Sequence, residues 1–271
     1  MQLTKTLCLL ISFVGCTTMM GKIQKGRDIF ICYGKIDPRS VQGYNLVVLE
    51  SQHYSPSDIS IFKLHNNKVL GYISLTEVNE TSFYYEEMEG YIFGKNEQWN
   101  SSYIDIANPK VQDILFNAIR KITAKGIDGL LLDNIDNTSQ WGQLTSSKTD
   151  LVNFIKELRK RDKKSYLVQN SGLFLGTELN EYTDAILVES VVTNYDFKLK
   201  EYALRDKKTM SEIIFEINRA VKKLRKPIMI VEYVGENKMK KEVEHQLNRL
   251  GFSYFIANIS LQAEPIFRND H

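Results

Sequence analysis

Carboxylates recur in this chain at one kind of place, the end of a short apolar run. Glu50 closes Asn45-Leu46-Val47-Val48-Leu49, Asp133 closes Gly129-Leu130-Leu131-Leu132, Glu189 closes Ala185-Ile186-Leu187-Val188, and Glu232 closes Ile228-Met229-Ile230-Val231. Glu77 follows three residues after Ser74, and Asp136 three residues after Asp133. Tyr33, Asn170 and Tyr233 stand at comparable ends, whereas no His or Arg does. Any one such acid can simply cap a helix or pair with a Lys. Gathered at one mouth, however, like charges repel and persist only if protonated, paired or bound to something.

Three chemistries use such a cluster. A glycosidic bond can be cleaved by one protonated carboxyl that gives the leaving oxygen its proton and a second, ionised one that serves as nucleophile or base. Crowding pushes the two pKa values apart for those roles. A divalent cation could instead be held by Asp133, Asp136 and Glu189 as hard oxygen ligands. The third is sugar binding without catalysis. The four histidines, His53, His65, His245 and His271, form no H-x-H or H-E-x-x-H pattern, so no metal site is expected. A serine or cysteine nucleophile lacks both a G-x-S-x-G turn and a strand-end His.

The elements that must position these residues follow from the runs themselves. Ile29–Tyr33, Asn45–Glu50, Val69–Ser74, Gly129–Asp133, Ser165–Gln169, Ala185–Glu189, Ile228–Glu232 and Ser253–Asn258 read as eight strands. Most are continuously apolar, as strands buried on both faces of a parallel sheet are. Helical signals lie between them. Ser57 or Asp58 caps a helix through Lys63, Asn108-Pro109 opens one running to Lys125, and the stretch from Thr149 or Asp150 to Arg161 is amphipathic. Ser211 to Leu224 and Lys238 to Leu250 repeat the pattern, the latter ended by Gly251. Eight strands with intervening helices in about 240 residues predict an α/β protein, a single-domain (β/α)8 TIM barrel with its chemistry at the C-terminal strand ends. An open doubly wound sheet would need a Gly-rich phosphate loop that is missing here. The connection from Ser74 to Asn108 is long and carries Tyr84, Tyr85, Glu86, Tyr91, Phe93 and Trp99. A loop of that length and aromatic content is expected to be functional.

Composition adds boundaries. A net charge of +2 on 271 residues gives no argument for nucleic acid. Lys5 precedes the apolar run from Leu7 to Val14, which ends at Gly15-Cys16. The run is too short to span a bilayer but suits the core of a signal peptide. A small residue followed by Cys resembles a bacterial lipobox, with Cys16 the acylated residue. The expected organisation is therefore a leader over 1–16, a short tether over 17–28 and the barrel over 29–271. The chain is expected to be exported and membrane-anchored, facing the periplasm or the cell surface. Cys8 falls in the leader, so Cys32 alone is left for the folded part and no disulfide is expected.

The segments Gly71-Tyr72-Ile73-Ser74-Leu75-Thr76-Glu77 and Gly126-Ile127-Asp128-Gly129-Leu130-Leu131-Leu132-Asp133-Asn134-Ile135-Asp136 carry a further signal. Together with Tyr33-Gly34, Trp99, Tyr103-Ile104-Asp105-Ile106 and Val188-Glu189-Ser190, they resemble the endo-α-1,4-polygalactosaminidase family, glycoside hydrolase family 114. The resemblance implies a TIM barrel acting on an α-1,4-linked, galactosamine-rich and hence cationic polysaccharide, with no cofactor. It also implies that Asp133 and Glu189 are the catalytic acids, Asp133 as nucleophile and Glu189 as general acid/base of a retaining, endo-acting enzyme. Glu50, Glu77, Asp136 and Glu232 are then candidates for contacting substrate amino groups, and Tyr72, Trp99 and Tyr233 for stacking on sugar rings. Tyr33 and Asn170 complete the expected site. The alternative is a non-catalytic carbohydrate-binding lipoprotein on the same barrel.

Overall fold

A computed structural model describes residues 28–267. The leader, the lipidation position Cys16 and all but the last residue of the tether lie outside the described residues. Eight parallel strands form one sheet in chain order: β1 (Ile29–Cys32), β2 (Leu46–Leu49), β3 (Lys68–Ser74), β4 (Gly129–Asp133), β5 (Tyr166–Asn170), β6 (Ala185–Glu189), β7 (Ile228–Tyr233) and β8 (Ser253–Ala257). The first and last strands meet through the Ser253 hydroxyl, 2.6 Å from Asp28 Oδ2, and through the rings of Phe30 and Phe255, 5.4 Å apart. The sheet thus curls into a barrel. Every residue of β1, β2 and β7 is buried, the double-sided burial expected of parallel strands covered by helices.

Five longer helices pack outside: α1 (Pro56–His65), α2 (Pro109–Thr123), α3 (Lys148–Arg161), α4 (Lys207–Leu224) and α5 (Asn237–Leu250). In α2, Val111, Leu115, Ala118, Ile119 and Ile122 are the buried stripe, the spacing of one helical face. Asn108 caps it, accepting from the Lys110 N–H at 2.9 Å, and Pro109 fills the first turn, where its missing N–H costs nothing. The start of α1 differs from the expected cap at Ser57 or Asp58. Ser55 is the cap, and Asp58 is its reciprocal partner in a capping box. Likewise α4 begins four residues before Ser211, because Asp206 accepts from the Thr209 N–H at 2.9 Å.

The expectation of a helix between successive strands fails twice. The β1–β2 and β5–β6 connections contain no α-helix among the described residues, and the latter holds only a 3-10 turn, Leu173–Leu175. Side chains fasten that segment instead. The Lys226 ammonium donates to the carbonyls of Thr183 (2.7 Å) and Asn180 (3.0 Å), and Arg159 pairs with Asp184 at 2.6 Å. The long β3–α2 connection is structured too. Glu77–Val78, Ile92–Asn96 and Ser101–Ile104 form a small antiparallel sheet, with Ser101–Ile104 in the middle. After β6 a hairpin pairs Thr193–Asp196 with Glu201–Leu204. Both insertions rise from C-terminal strand ends.

Candidate active site

Strand register decides which side chains reach the barrel mouth. Paired residues in a parallel ladder share a face, and successive residues alternate. The pairs Cys32–Leu49, Leu49–Gly71, Tyr72–Leu131, Leu132–Gln169, Asn170–Leu187 and Val231–Glu189 therefore place Tyr33, Glu50, Tyr72, Asp133, Asn170, Glu189 and Tyr233 on one common face. All seven line a single cleft of about 560 Å³, joined by Glu77, Trp99, Asp136 and the segment 259–262.

The same rule removes one expected residue. Glu232 is one position out of phase with Glu189 and does not line the cleft. It is fully buried, and its carboxylate accepts from the N–H groups of Val191 (2.9 Å), Val192 (2.7 Å) and Thr193 (2.9 Å) and from the Thr193 hydroxyl (2.6 Å). Glu232 thus pins the chain that leaves Glu189 and has no oxygen free for a substrate.

At the centre, Asn170 Nδ2 donates to Asp133 Oδ1 at 2.6 Å and to Glu189 Oε1 at 2.7 Å. The two acceptor oxygens are therefore held no farther apart than those distances combined. The Tyr233 hydroxyl donates to Glu189 Oε2 at 2.7 Å. Tyr233 was expected to stack on a sugar ring; it lines the cleft but is buried, and its hydroxyl is engaged by Glu189. Tyr72 faces Asp133 and helps hold its charge, and the Tyr33 ring packs 4.5 Å from that of Tyr72.

Burial dominates the electrostatics. It raises the Glu189 pKa to about 7, with the charge of Asp133 adding to it and the Tyr233 and Asn170 hydrogen bonds opposing it. Asp133 is also raised by burial, against hydrogen bonds from Asn170, the Asn134 backbone and Tyr72 that favour its charged form. Burial alone takes Glu50 to about 7. The tyrosine hydroxyls of residues 33, 72 and 233 are lifted well above their ordinary value by burial and then by the facing acids, so they remain donors.

Glu77 lies in the cleft wall with both oxygens engaged. Oε1 accepts from Asn137 (2.8 Å) and Asn96 (3.2 Å), and Oε2 from the Ser101 hydroxyl. Asn137 also donates to the Thr76 hydroxyl oxygen at 2.9 Å, and Thr76 donates to the Asn134 carbonyl at 2.6 Å. The two motif segments are thereby bolted together. Asp136 accepts from the Gly172 N–H at 2.9 Å. Trp99 is half exposed and meets Phe197 at 5.0 Å, joining the two insertions over one side of the cleft. Asn96, Ser101, Asn137 and residues 259–262 went unread in the sequence. Asn137 adjoins Asp136 and was within reach of motif reading; the others depend on tertiary return of the chain.

Each of the three central residues is followed by a left-handed backbone position: Asn134 (φ 58°) after Asp133, Ser171 (φ 57°) after Asn170 and Ser190 (φ 56°) after Glu189. Non-glycine residues pay about 1–2 kcal/mol for this conformation. Arg205 secures the last one, donating to the Ser190 carbonyl from Nε (3.1 Å) and Nη2 (2.9 Å). Among the described residues no three His, Cys, Asp or Glu side chains converge as metal ligands. No Lys or Arg lines the cleft among those residues either, whereas Glu50, Glu77, Asp133, Asp136 and Glu189 do.

A parallel barrel whose inward strand ends present two hydrogen-bonded carboxylates in an acidic cleft defines a barrel glycoside hydrolase. The chain belongs to glycoside hydrolase family GH114, whose profile matches residues 22–270. It is similar to an uncharacterised protein of Methanocaldococcus jannaschii, 24% identical over 243 residues that span 79% of this chain and 69% of that one. A protein of Thermotoga maritima is 23% identical over 225 residues, 73% of this chain and 67% of the other. Among solved structures, the glycoside hydrolase domain of PelA from Pseudomonas aeruginosa superposes with a TM-score of 0.78 at 19% identity, covering 90% of this chain and 99% of the domain. Ega3 from Aspergillus fumigatus, solved in complex with galactosamine, gives 0.66 at 17% identity over 88% and 93%. At these identities the structural likeness is one of fold.

Proposed function

We propose that the protein cleaves an α-1,4-linked, galactosamine-rich polysaccharide within its chain by a retaining mechanism. The observation that carries this reading is the Asp133–Asn170–Glu189 bridge in a cleft that, among the described residues, is lined by five acids and no Lys or Arg. Retaining enzymes hold their two carboxyl groups about 5–5.5 Å apart, whereas inverting ones need roughly 6.5 Å or more to admit a water. Two carboxylates that share one donor nitrogen support the shorter, retaining spacing.

Asp133, supported by Asn170 and Tyr72, is the better nucleophile, and Glu189, raised to about 7, the better proton donor. Asp133 attacks the anomeric carbon while Glu189 gives its proton to the departing glycosidic oxygen, leaving a covalent glycosyl ester. Glu189, now ionised, takes a proton from water, and that water displaces Asp133 and restores both groups. Glu50, whose carboxylate no hydrogen bond or ion pair engages among the described residues, faces the cleft as a partner for a substrate ammonium. An anionic cleft also attracts a cationic polymer at long range. That Ega3 was solved with galactosamine supports this choice of sugar. The N-terminal reading complements it, with export and a lipid anchor on Cys16 bringing the barrel to polysaccharide outside the cytoplasm. Loss of radiolabelled palmitate in a Cys16→Ser chain is the expected result.

The test is reducing-end release from partially deacetylated α-1,4-galactosaminogalactan by the protein from Thr17 onward, with chitosan as control. Asp133→Asn and Glu189→Gln should both fold and lose turnover. Sugar binding by wild type without release of reducing ends would replace this reading with the non-catalytic one.

A further inference from the structure

Trp141 is 87% exposed, more than any other large apolar side chain among the described residues. Tryptophan offers a large apolar area and a π face, so leaving it in water forgoes a substantial burial gain. The loop that carries it is well bonded. Ser139 Oγ accepts from the Trp141 N–H at 3.3 Å, and the Gly142 N–H reaches the Ser139 carbonyl at 3.0 Å. The Thr145 hydroxyl donates to the carbonyls of Ser139 (2.8 Å) and Gly142 (3.0 Å). Thr138 and Leu144 are buried on either side.

This platform abuts the cleft. The Leu144 N–H donates to the Asn137 carbonyl at 2.8 Å. A Cβ added to Gly142 would lie 2.1 Å from that same oxygen, so only glycine permits the contact. Asn137 in turn is cleft wall through Glu77. The loop that carries the exposed Trp141 is therefore bonded directly to Asn137 of the cleft wall. On the neighbouring loop Phe174 is also exposed, two residues after Gly172, which binds Asp136.

From this placement we infer that Trp141 is a surface subsite that stacks on a sugar ring of the polysaccharide where the chain leaves the cleft past β4 and β5. The inference rests on the polysaccharide reading above. The apolar face of a pyranose matches the indole, and an ammonium substituent on that ring adds a cation–π contact. Lys148, 5.7 Å from the centre of the Phe174 ring, is paired with Glu178 at 3.0 Å, which offsets its repulsion of a cationic chain.

The experiment compares wild type, Trp141→Ala and Trp141→Tyr on short α-1,4-galactosamine oligomers that fit within the cleft and on the long polymer. Trp141→Ala should keep wild-type kcat/KM on the short oligomers. On the polymer its KM should rise about fivefold at unchanged kcat, as expected for one exposed stacking contact, and Trp141→Tyr should restore most of it. Equal kinetics on the polymer, or equal losses on both substrates, would overturn the subsite. In parallel, affinity electrophoresis in the polymer compares Asp133→Asn with the Asp133→Asn, Trp141→Ala double variant. Wild type that cleaves nothing defeats the hydrolase reading alone, since weaker retention of the double variant still supports the subsite and equal retention rejects it.

Discussion

Asp133 and Glu189 sit on strands β4 and β6, yet both accept a hydrogen bond from one nitrogen, Asn170 Nδ2 on the strand between them. The Oδ1 of that amide is buried without a donor among the described residues. The side chain thus works through its NH₂ alone, and only this orientation is compatible with two facing carboxylates. Asn170→Ala should fold and lose about two orders of magnitude in kcat. Both acids also lose a bond that favours their charged forms, so the acidic limb of the kcat–pH profile should move to higher pH. A purely structural asparagine would leave the limb in place.

Glu189 should set the alkaline limb. With its pKa near 7, turnover by a protonated donor falls as pH rises through that value. The Tyr233 hydroxyl lowers the Glu189 pKa. Tyr233→Phe should therefore shift the alkaline limb upward, while reducing kcat through the lost support of the ionised state. An unmoved limb would remove Glu189 from the donor role.

Stability should vary with pH in a direction fixed by the same burial. Glu50 and Glu189 rise from 4.5 when unfolded to about 7 when folded. Between those values the native state binds more protons than the unfolded chain, so these groups make the fold less stable as pH climbs from 4.5 to 7. Below 4.5 their penalty vanishes. Glu50→Gln should raise the urea midpoint more at pH 7.5 than at pH 5, and an equal gain at both would contradict the assignment.

Glu232→Ala should behave unlike a lost substrate ligand. It strands the N–H groups of three consecutive residues, 191–193, in a fully buried place, at a cost of at least about 3 kcal/mol. Thermal unfolding should drop accordingly, with polymer KM little changed in the molecules that remain folded. Glu232→Gln should recover part of the loss, because an amide oxygen replaces one of the two acceptors.

These contrasts indicate what the sequence could reveal. The eight strands were legible because buried parallel strands read as apolar runs, and the acids at their ends were legible with them. Glu189 and Glu232 nevertheless end indistinguishable runs, AILVE and IMIVE. What separates them is the pairing of Val231 with Glu189, a register set between strands far apart in the chain. Register likewise turned Tyr233 inward as a hydrogen-bond donor. The missing helix after β5 has a local cause in part, since Gly172 and Gly176 interrupt the apolar spacing of 171–184. The small sheet of the β3–α2 connection depends on long-range pairing that no short motif encodes.

The left-handed turns at Asn134, Ser171 and Ser190 bear on how this barrel can change over evolution. Each lies between a working side chain and the loop beyond it, and each redirects the chain within a single residue. Upstream, the strands fix Asp133, Asn170 and Glu189 by register; downstream, the loops carry the aromatic residues Trp141, Phe174 and Phe197. On the reading proposed above, chemistry and recognition are separable modules on one chain. Loops grafted just past these three corners should redirect the enzyme to polymers of different decoration or linkage while the bond-breaking apparatus is inherited whole.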